Sequence, residues 1–289
     1  MSALETSTVK SNSAMIPAVL AVIIWSTLAV SVTFCSDVSP MFITGAALFI
    51  GGVIGLPWIK LWRMPRRLFV WGTLCMLAYH LIYFYALQLA DPIGVSLLHY
   101  LWPVLIVVLA PLFVSTGKLT AKSILAGAIG FAGAIISCNP DHAVGAGSWL
   151  GYLLAFVSAI LWAVYSLLAK QYPNVKSVSV GLFCIVSGAV CLALYRASAD
   201  WPSLTTSEFW AILYMGIGPM GGAFYVWDHA MKKACHEQVA VLSYATPVLS
   251  TAFLALYLQV GMQWYIWVGA ALVVCSMIMS KKAQSAFTI

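Results

Sequence analysis

Phe84 to Leu105, FYALQLADPIGVSLLHYLWPVL, can be written over Asp228 to Leu249, DHAMKKACHEQVAVLSYATPVL, without a gap at an offset of 144. Identities fall at Ala86/Ala230, Ala90/Ala234, Val95/Val239, Leu98/Leu242, Tyr100/Tyr244, Pro103/Pro247, Val104/Val248 and Leu105/Leu249, eight of twenty-two positions in apolar sequence. Weaker echoes pair Trp25 with Trp162 and Gly127 with Gly269. The chain therefore reads as two copies of one unit.

Around this repeat, apolar runs bounded by charge clusters or by Gly, Pro, Asn and Asp occupy about 15–35, 40–60, 68–90, 93–115 and 122–138. A second series occupies about 149–170, 177–196, 208–231, 238–260 and 263–280. Each is read as a membrane-spanning helix, which satisfies its own backbone hydrogen bonds in hydrocarbon. The composition agrees: 63% of the 289 residues are hydrophobic and 8% charged, where soluble domains carry roughly 25% charged residues. The predicted fold is an all-α membrane protein of ten transmembrane helices in two five-helix repeats. Its parts are an N-terminal tail (1–14), a first repeat (15–138), an external linker (139–147), a second repeat (148–280) and a C-terminal tail (281–289).

Basic residues test this division, because successive loops alternate sides. One side receives Lys10; Lys60, Arg63, Arg66 and Arg67; Lys118 and Lys122; Lys170 and Lys176; Lys232 and Lys233; and Lys281 and Lys282. The other receives only Arg196. The net charge of +6 is thus written as topology and not as a patch for nucleic acid. Positive loops stay cytoplasmic, so both termini are expected inside, with Asp37, Asp91, Asp141 and Asp200 on or near outer loops. An odd number of helices per half makes the second copy enter from the opposite side. That inverted-topology repeat is a transporter architecture, with substrate held near the midplane. An uncleaved first helix is expected from the long apolar run after Met15.

Several features exclude other chemistry. No G-x-x-x-x-G-K-[ST] is present, so ATP hydrolysis by a P-loop is not expected. His236-Glu237-Gln238-Val239-Ala240 begins like a zinc-protease motif but lacks the second His. The seven cysteines show no metal-ligand spacing and read as packed free thiols. No enzyme activity, cofactor or metal is expected. Gly51-x-x-x-Gly55 and Gly127, Gly130 and Gly133 read as close helix packing.

The densest polar and aromatic cluster is Tyr79, His80, Tyr83 and Tyr85 in the third run. Tyr79 and Tyr83 share a helix face with His80 beside them, and their polar tips require partners in hydrocarbon. They either line a wet cavity or pack inside with a satisfied His; three polar-tipped rings at mid-depth favour the cavity. His99, Tyr100, Trp102 and Pro103 form a second cluster, matched by Ser243, Tyr244, Thr246 and Pro247. Pro103 and Pro247 supply either a structural kink or a functional hinge at the same place in both halves. Trp25 and Trp162 lie mid-span, away from the interfacial belt, as cavity walls or core filling. Asp228 is read as a structural pair with Lys232, four residues on. No Lys or Arg sits near a span centre, so neutral, zwitterionic or cationic solutes fit better than phosphates.

The stretches I-I-W-S-T at Ile23 to Thr27, I-L-W-A-V-Y at Ile160 to Tyr165 and Y-A-T-P-V-L-S at Tyr244 to Ser250 resemble the EamA branch of the drug/metabolite transporter superfamily. Tyr100-Leu101-Trp102-Pro103, with Trp162, Tyr165 and Thr246 to Ser250, is similar to its bacterial amino acid exporters. The resemblance covers essentially the whole chain. It implies export of aromatic and other neutral amino acids and related metabolites, by alternating access through a central cavity in the bacterial inner membrane. It supports Tyr100, Trp102 and Trp162 as cavity candidates, and Trp25 rests on both arguments; Tyr165 and Tyr244, the second-half counterpart of Tyr100, are further expected substrate contacts. The absence of a mid-span carboxylate favours downhill transport. The alternative is a multidrug or organic-cation exporter of the same superfamily, with His80 as a proton-coupling residue. Expected partners are the bilayer and a small-molecule substrate, and a monomer is compatible with both.

Overall fold

The computed structural model describes residues 3–114, 119–138 and 148–285, with side chains over 13–114, 119–138 and 148–281. The expected linker 139–147 with Asp141, the Lys118 cation, and the side chains of Lys10 and Lys282 lie outside this description. Among the described residues there are helices and no strand. Eight helices among the described residues are long and apolar enough to cross a membrane: Ser13–Thr33, Arg66–Leu89, Pro92–Phe113, Trp149–Gln171, Ser177–Ser198, Thr206–Lys233, His236–Tyr257 and Trp264–Lys281. Two shorter apolar helices, Pro40–Val53 and Ala121–Ser137, accompany them.

Those two are shorter than the length of about twenty residues expected for a span, a mismatch that local bilayer thinning or flanking residues can take up. At 1.5 Å per residue they measure about 21 and 26 Å, against a hydrocarbon core of roughly 30 Å. In the second run, expected to reach residue 60, the α-helix ends at Val53 and the chain tightens into a 3-10 turn over Leu56–Leu61. Gly55 and Pro57 explain the change. Glycine weakens a helix, and the proline nitrogen donates no hydrogen bond.

Fourteen α-helices build these segments. They are α1 (Ala3–Ser26), α2 (Leu28–Thr33), α3 (Pro40–Val53), α4 (Arg66–Leu89), α5 (Pro92–His99), α6 (Trp102–Phe113) and α7 (Ala121–Ser137). The rest are α8 (Trp149–Gln171), α9 (Val180–Ser198), α10 (Thr206–Ile217), α11 (Ala223–Lys233), α12 (His236–Leu242), α13 (Ala245–Tyr257) and α14 (Trp264–Ser285). Two breaks fall at matching places in the repeat. The ring of Pro103 would clash with the carbonyl four residues back, on His99, where α5 ends. Pro247 stands in the same relation to Ser243, where α12 has ended. A third break, the π-helical segment Gly218–Gly222, joins α10 to α11 and combines a proline with three glycines.

Packing pairs α3 with α9, α7 with α14, and α4 with α8; α1 lies against α11, α12 and α13, while α8 also meets α5, α6 and α11. Small residues allow the closest approaches. A Cβ on Gly51 would stand 2.6 Å from the Cα of Gly221, and one on Gly133 would stand 2.8 Å from the Gly269 carbonyl. Such contacts bring backbones together where lipid supplies no hydrophobic drive for association. All seven cysteines are free, four of them buried, but Cys275 is exposed. The centre of the bundle is where α1, α6, α8 and α11 converge, and each of these helices brings one tryptophan there.

Candidate functional site

Trp25 of α1 is the hub. Its ring centroid lies 6.4 Å from Trp102, 5.9 Å from Trp162, 6.2 Å from Phe224 and 5.1 Å from Trp227. Trp102 lies 6.2 Å from Trp162 and 5.4 Å from Trp227, both edge to face. These spacings and tilts set positive ring edges against negative faces, the favoured aromatic arrangement. Tryptophan at this depth needs a partner for its N–H. Trp25 Nε1 donates to the Pro219 carbonyl at 2.9 Å, inside the π-helical segment, and Trp227 Nε1 donates to Ser166 Oγ at 3.0 Å. The irregular turn is what exposes a backbone acceptor to Trp25.

The polar rings of α4 adjoin this cluster through Tyr79, whose centroid is 5.2 Å from Trp162. Tyr79 also stacks on His99 at 5.2 Å, lies 4.2 Å from His80 and 6.3 Å from Tyr83. His80 Nδ1 meets the Met76 carbonyl at 2.7 Å; a carbonyl only accepts, so this nitrogen carries the proton. Ser158 Oγ donates to the Ala155 carbonyl at 2.6 Å, so His99 Nδ1, 3.0 Å from that oxygen, is the donor to it. Both imidazoles are thereby fixed in tautomer and orientation. Tyr83 shares a 3.1 Å hydrogen bond with Ser96. Trp25, Tyr79, Tyr83 and Tyr100 are only half-buried, although Trp102, Trp162, Tyr165 and His80 around them are buried.

The structure thus gathers Trp25, Tyr79, His80, Tyr83, Trp102, Trp162 and Tyr165 into one connected group, with Tyr165 stacked on Trp162 at 5.3 Å. Tyr100 follows the end of α5 directly after His99. Tyr244 is elsewhere: it is fully buried against Phe131 and beside Gly130 of α7, in a separate packing cluster. Tyr85, on the α4 face opposite, is exposed. Pro103 and Pro247 sit just beyond the two helix breaks.

Three members were not among the expected substrate contacts: Phe224, Trp227 and His99, the last noted only as part of the second cluster. The repeat holds a signal for two of them. Extending its register backwards pairs Tyr83 with Trp227 and His80 with Phe224. His80 and Phe224 lie 6.2 Å apart, so equivalent positions of the two halves meet at the site.

The buried carboxylate next to Trp227 is committed elsewhere. Asp228 pairs with Lys232 at 2.6 Å, with both side chains 5% exposed, and Lys232 also donates to the Val175 carbonyl at 2.8 Å. This is the spacing-predicted pair. Among the described residues no group of three or more His, Cys, Asp or Glu is arranged to hold a metal ion. The arrangement can enclose a flat or apolar group between ring faces and offer it hydroxyl and imidazole edges. It can also hold an ammonium group by cation–π attraction.

Comparison with known proteins places the chain in a transporter family. The model of the EamA-like transporter family matches the chain twice, over residues 12–138 and 149–281. The aromatic amino acid exporter YddG of Ancylobacter novellus is 33% identical over 262 residues, covering 84% of this chain and 88% of its own. The proteins of the same name from Salmonella typhimurium and Escherichia coli are 28% and 25% identical, over 91% and 88% of this chain and 94% and 92% of theirs. A solved crystal structure of a protein 30% identical in sequence superposes with a TM-score of 0.88, over 96% of this chain and 99% of that one. By these matches the chain is a member of the EamA-like transporter family, a multi-pass membrane transporter.

Proposed function

We propose that the protein exports amino acids, aromatic and other neutral ones, and related small metabolites, by alternating access through the Trp25 site. The carrying observation is that Trp25 touches Trp102 from the first half and Trp162, Phe224 and Trp227 from the second. A site shared by two halves can face either side as one half rocks against the other. Three further observations support ten spans in two inverted five-helix repeats. The family model matches twice. Helix breaks precede Pro103 and Pro247 alike. The contacts of α8 with α4, α5 and α6 mirror those of α1 with α11, α12 and α13. The domain limits 15–138 and 148–280 follow from this reading, and Pro103 and Pro247 are its hinges. The names of the relatives support aromatic amino acids as cargo.

Transport runs downhill in this proposal, because Asp228, the carboxylate near the site among the described residues, is held by Lys232. Proteoliposomes containing only this protein should show counterflow of labelled phenylalanine against preloaded substrate, and no accumulation under an imposed pH or sodium gradient. Accumulation driven by a proton gradient, lost in His80→Ala while counterflow persists, would falsify the facilitator reading and make His80 the coupling residue. Absence of flux for every amino acid would remove the substrate class.

Both termini face the cytoplasm of a bacterial inner membrane in this proposal, since basic loops are retained inside. Arg66 is exposed at the start of α4. Arg66→Cys, in a background lacking the exposed Cys275, should resist an impermeant thiol reagent in intact cells and react once the membrane is opened. Labelling from outside would invert the orientation.

A further inference from the structure

We propose that the basic end of the bundle carries a site for an anionic phospholipid, with an acyl chain in a lateral cleft and the headgroup phosphate over Lys60 and Lys176. The cleft has a volume of about 300 Å3 and is walled by Pro17 of α1, Ile54 and Trp58 beyond α3, Val178 before α9, and Val226 and His229 of α11. Its walls are overwhelmingly apolar. The Tyr225 hydroxyl in its lining is already committed, donating to the Gly51 carbonyl at 2.8 Å. Ile16, Trp58 and Ile59 around it are at least half exposed, so this rim faces the hydrocarbon and its interface rather than protein. In a bilayer the neighbour that meets such a rim is a lipid.

Charge selects which lipid. Lys60 lies two residues beyond Trp58, Lys176 directly precedes Ser177 in the cleft wall, and both are exposed with no ion-pair partner among the described residues. At this end of the bundle the described carboxylates are Asp228 and Glu237. Both are buried, the first held by Lys232 and the second accepting from Ser280. The exposed cations therefore lack a counter-charge from the protein itself. A phosphate esterified to an apolar tail complements both halves of the feature. A cation near an anionic lipid headgroup contributes about 1 kcal/mol, or about fivefold in affinity, so two cations give about 25-fold.

The test is native mass spectrometry of the purified full chain titrated with phosphatidylglycerol or phosphatidylcholine. The first phosphatidylglycerol should bind about 25-fold tighter than phosphatidylcholine, and excess inorganic phosphate should not displace it. Lys60→Gln with Lys176→Gln should bring the two lipids to equal affinity, while Lys122→Gln with Lys281→Gln, on α7 and α14, should leave the preference intact. Val178→Trp or Val226→Trp should fill the cleft and remove the tight phosphatidylglycerol. Equal binding of both lipids by the unaltered chain overturns the proposal. So do displacement by phosphate and an equal loss in the Lys122 and Lys281 pair. The lysine substitutions are at exposed positions, so they decide the matter even where a tryptophan variant fails to fold; size-exclusion elution identifies that case.

Discussion

Replacing Trp162 by alanine should lower amino acid counterflow in proteoliposomes by at least about tenfold, equivalent to about 1.4 kcal/mol in the limiting step. Trp162 has more of the site's ring contacts than any other candidate, five against four for Trp25. It meets Trp25, Tyr79, Trp102, Tyr165 and Phe224, and so joins the α4 rings to the tryptophan hub. Each such pair contributes about 0.5–1.5 kcal/mol beyond burial, and truncating a buried tryptophan costs about 3–5 kcal/mol of stability. A fall in flux alone would therefore not separate a damaged site from a damaged fold. Trp162→Phe keeps a flat apolar ring in the same place and should retain most counterflow. Tyr244→Ala removes an equally buried ring from the α7 packing cluster. It should lower thermal stability but leave the apparent substrate affinity unchanged. If Trp162→Ala transports normally, or if Tyr244→Ala alters affinity as strongly as Trp162→Ala does, the site is misplaced.

That contrast also marks how far the sequence could be read. Helix positions followed from apolar runs and from the segregation of basic residues, because the bilayer imposes length and charge rules on every span. The breaks before Pro103 and Pro247 were legible because proline acts locally. The Asp228 to Lys232 pair was legible for a similar reason, since four residues is one turn of helix. Tyr244 was not. The repeat equates it with Tyr100, but register fixes depth and helix face only approximately. Gly130 lets α7 approach in the second half, and a Cβ there would meet the Tyr244 ring at 2.5 Å. His99 lay inside a quoted cluster, yet its part depends on Ser158, fifty-nine residues away, which no local pattern connects to it. The short second helix was overestimated because the apolar run continues through Gly55 and Pro57 after the α-helix has stopped.

Removing one partner of the Asp228–Lys232 pair should destabilise the protein by about 3–5 kcal/mol, because it leaves a buried charge without its counter-ion. The geometry makes this pair sensitive. The two side chains are 5% exposed, 2.6 Å apart and one helical turn from each other in α11. Lys232 is further anchored to the Val175 carbonyl, and Ser177 hydrogen-bonds Asp228, so the pair ties α11 to the segment that leads into α9. Asp228→Asn should therefore lower the melting temperature in detergent strongly, as should Lys232→Met. Removing both charges together should recover most of the loss, since the desolvation cost of the ions disappears with their attraction. Recovery in the double variant distinguishes an ion pair from simple packing, for which the two losses would add. The pair also bears on transport through its neighbour. Trp227 precedes Asp228 and packs 5.1 Å from Trp25 while donating to Ser166. A turn of α11 that loses its anchor to Val175 allows Trp227 to shift against the hub. The double variant should then be stable yet transport more slowly than the parent chain. Full additivity of the two single losses would refute the ion-pair account. Unaltered flux in the stable double variant would show that the anchor holds the fold without governing the site.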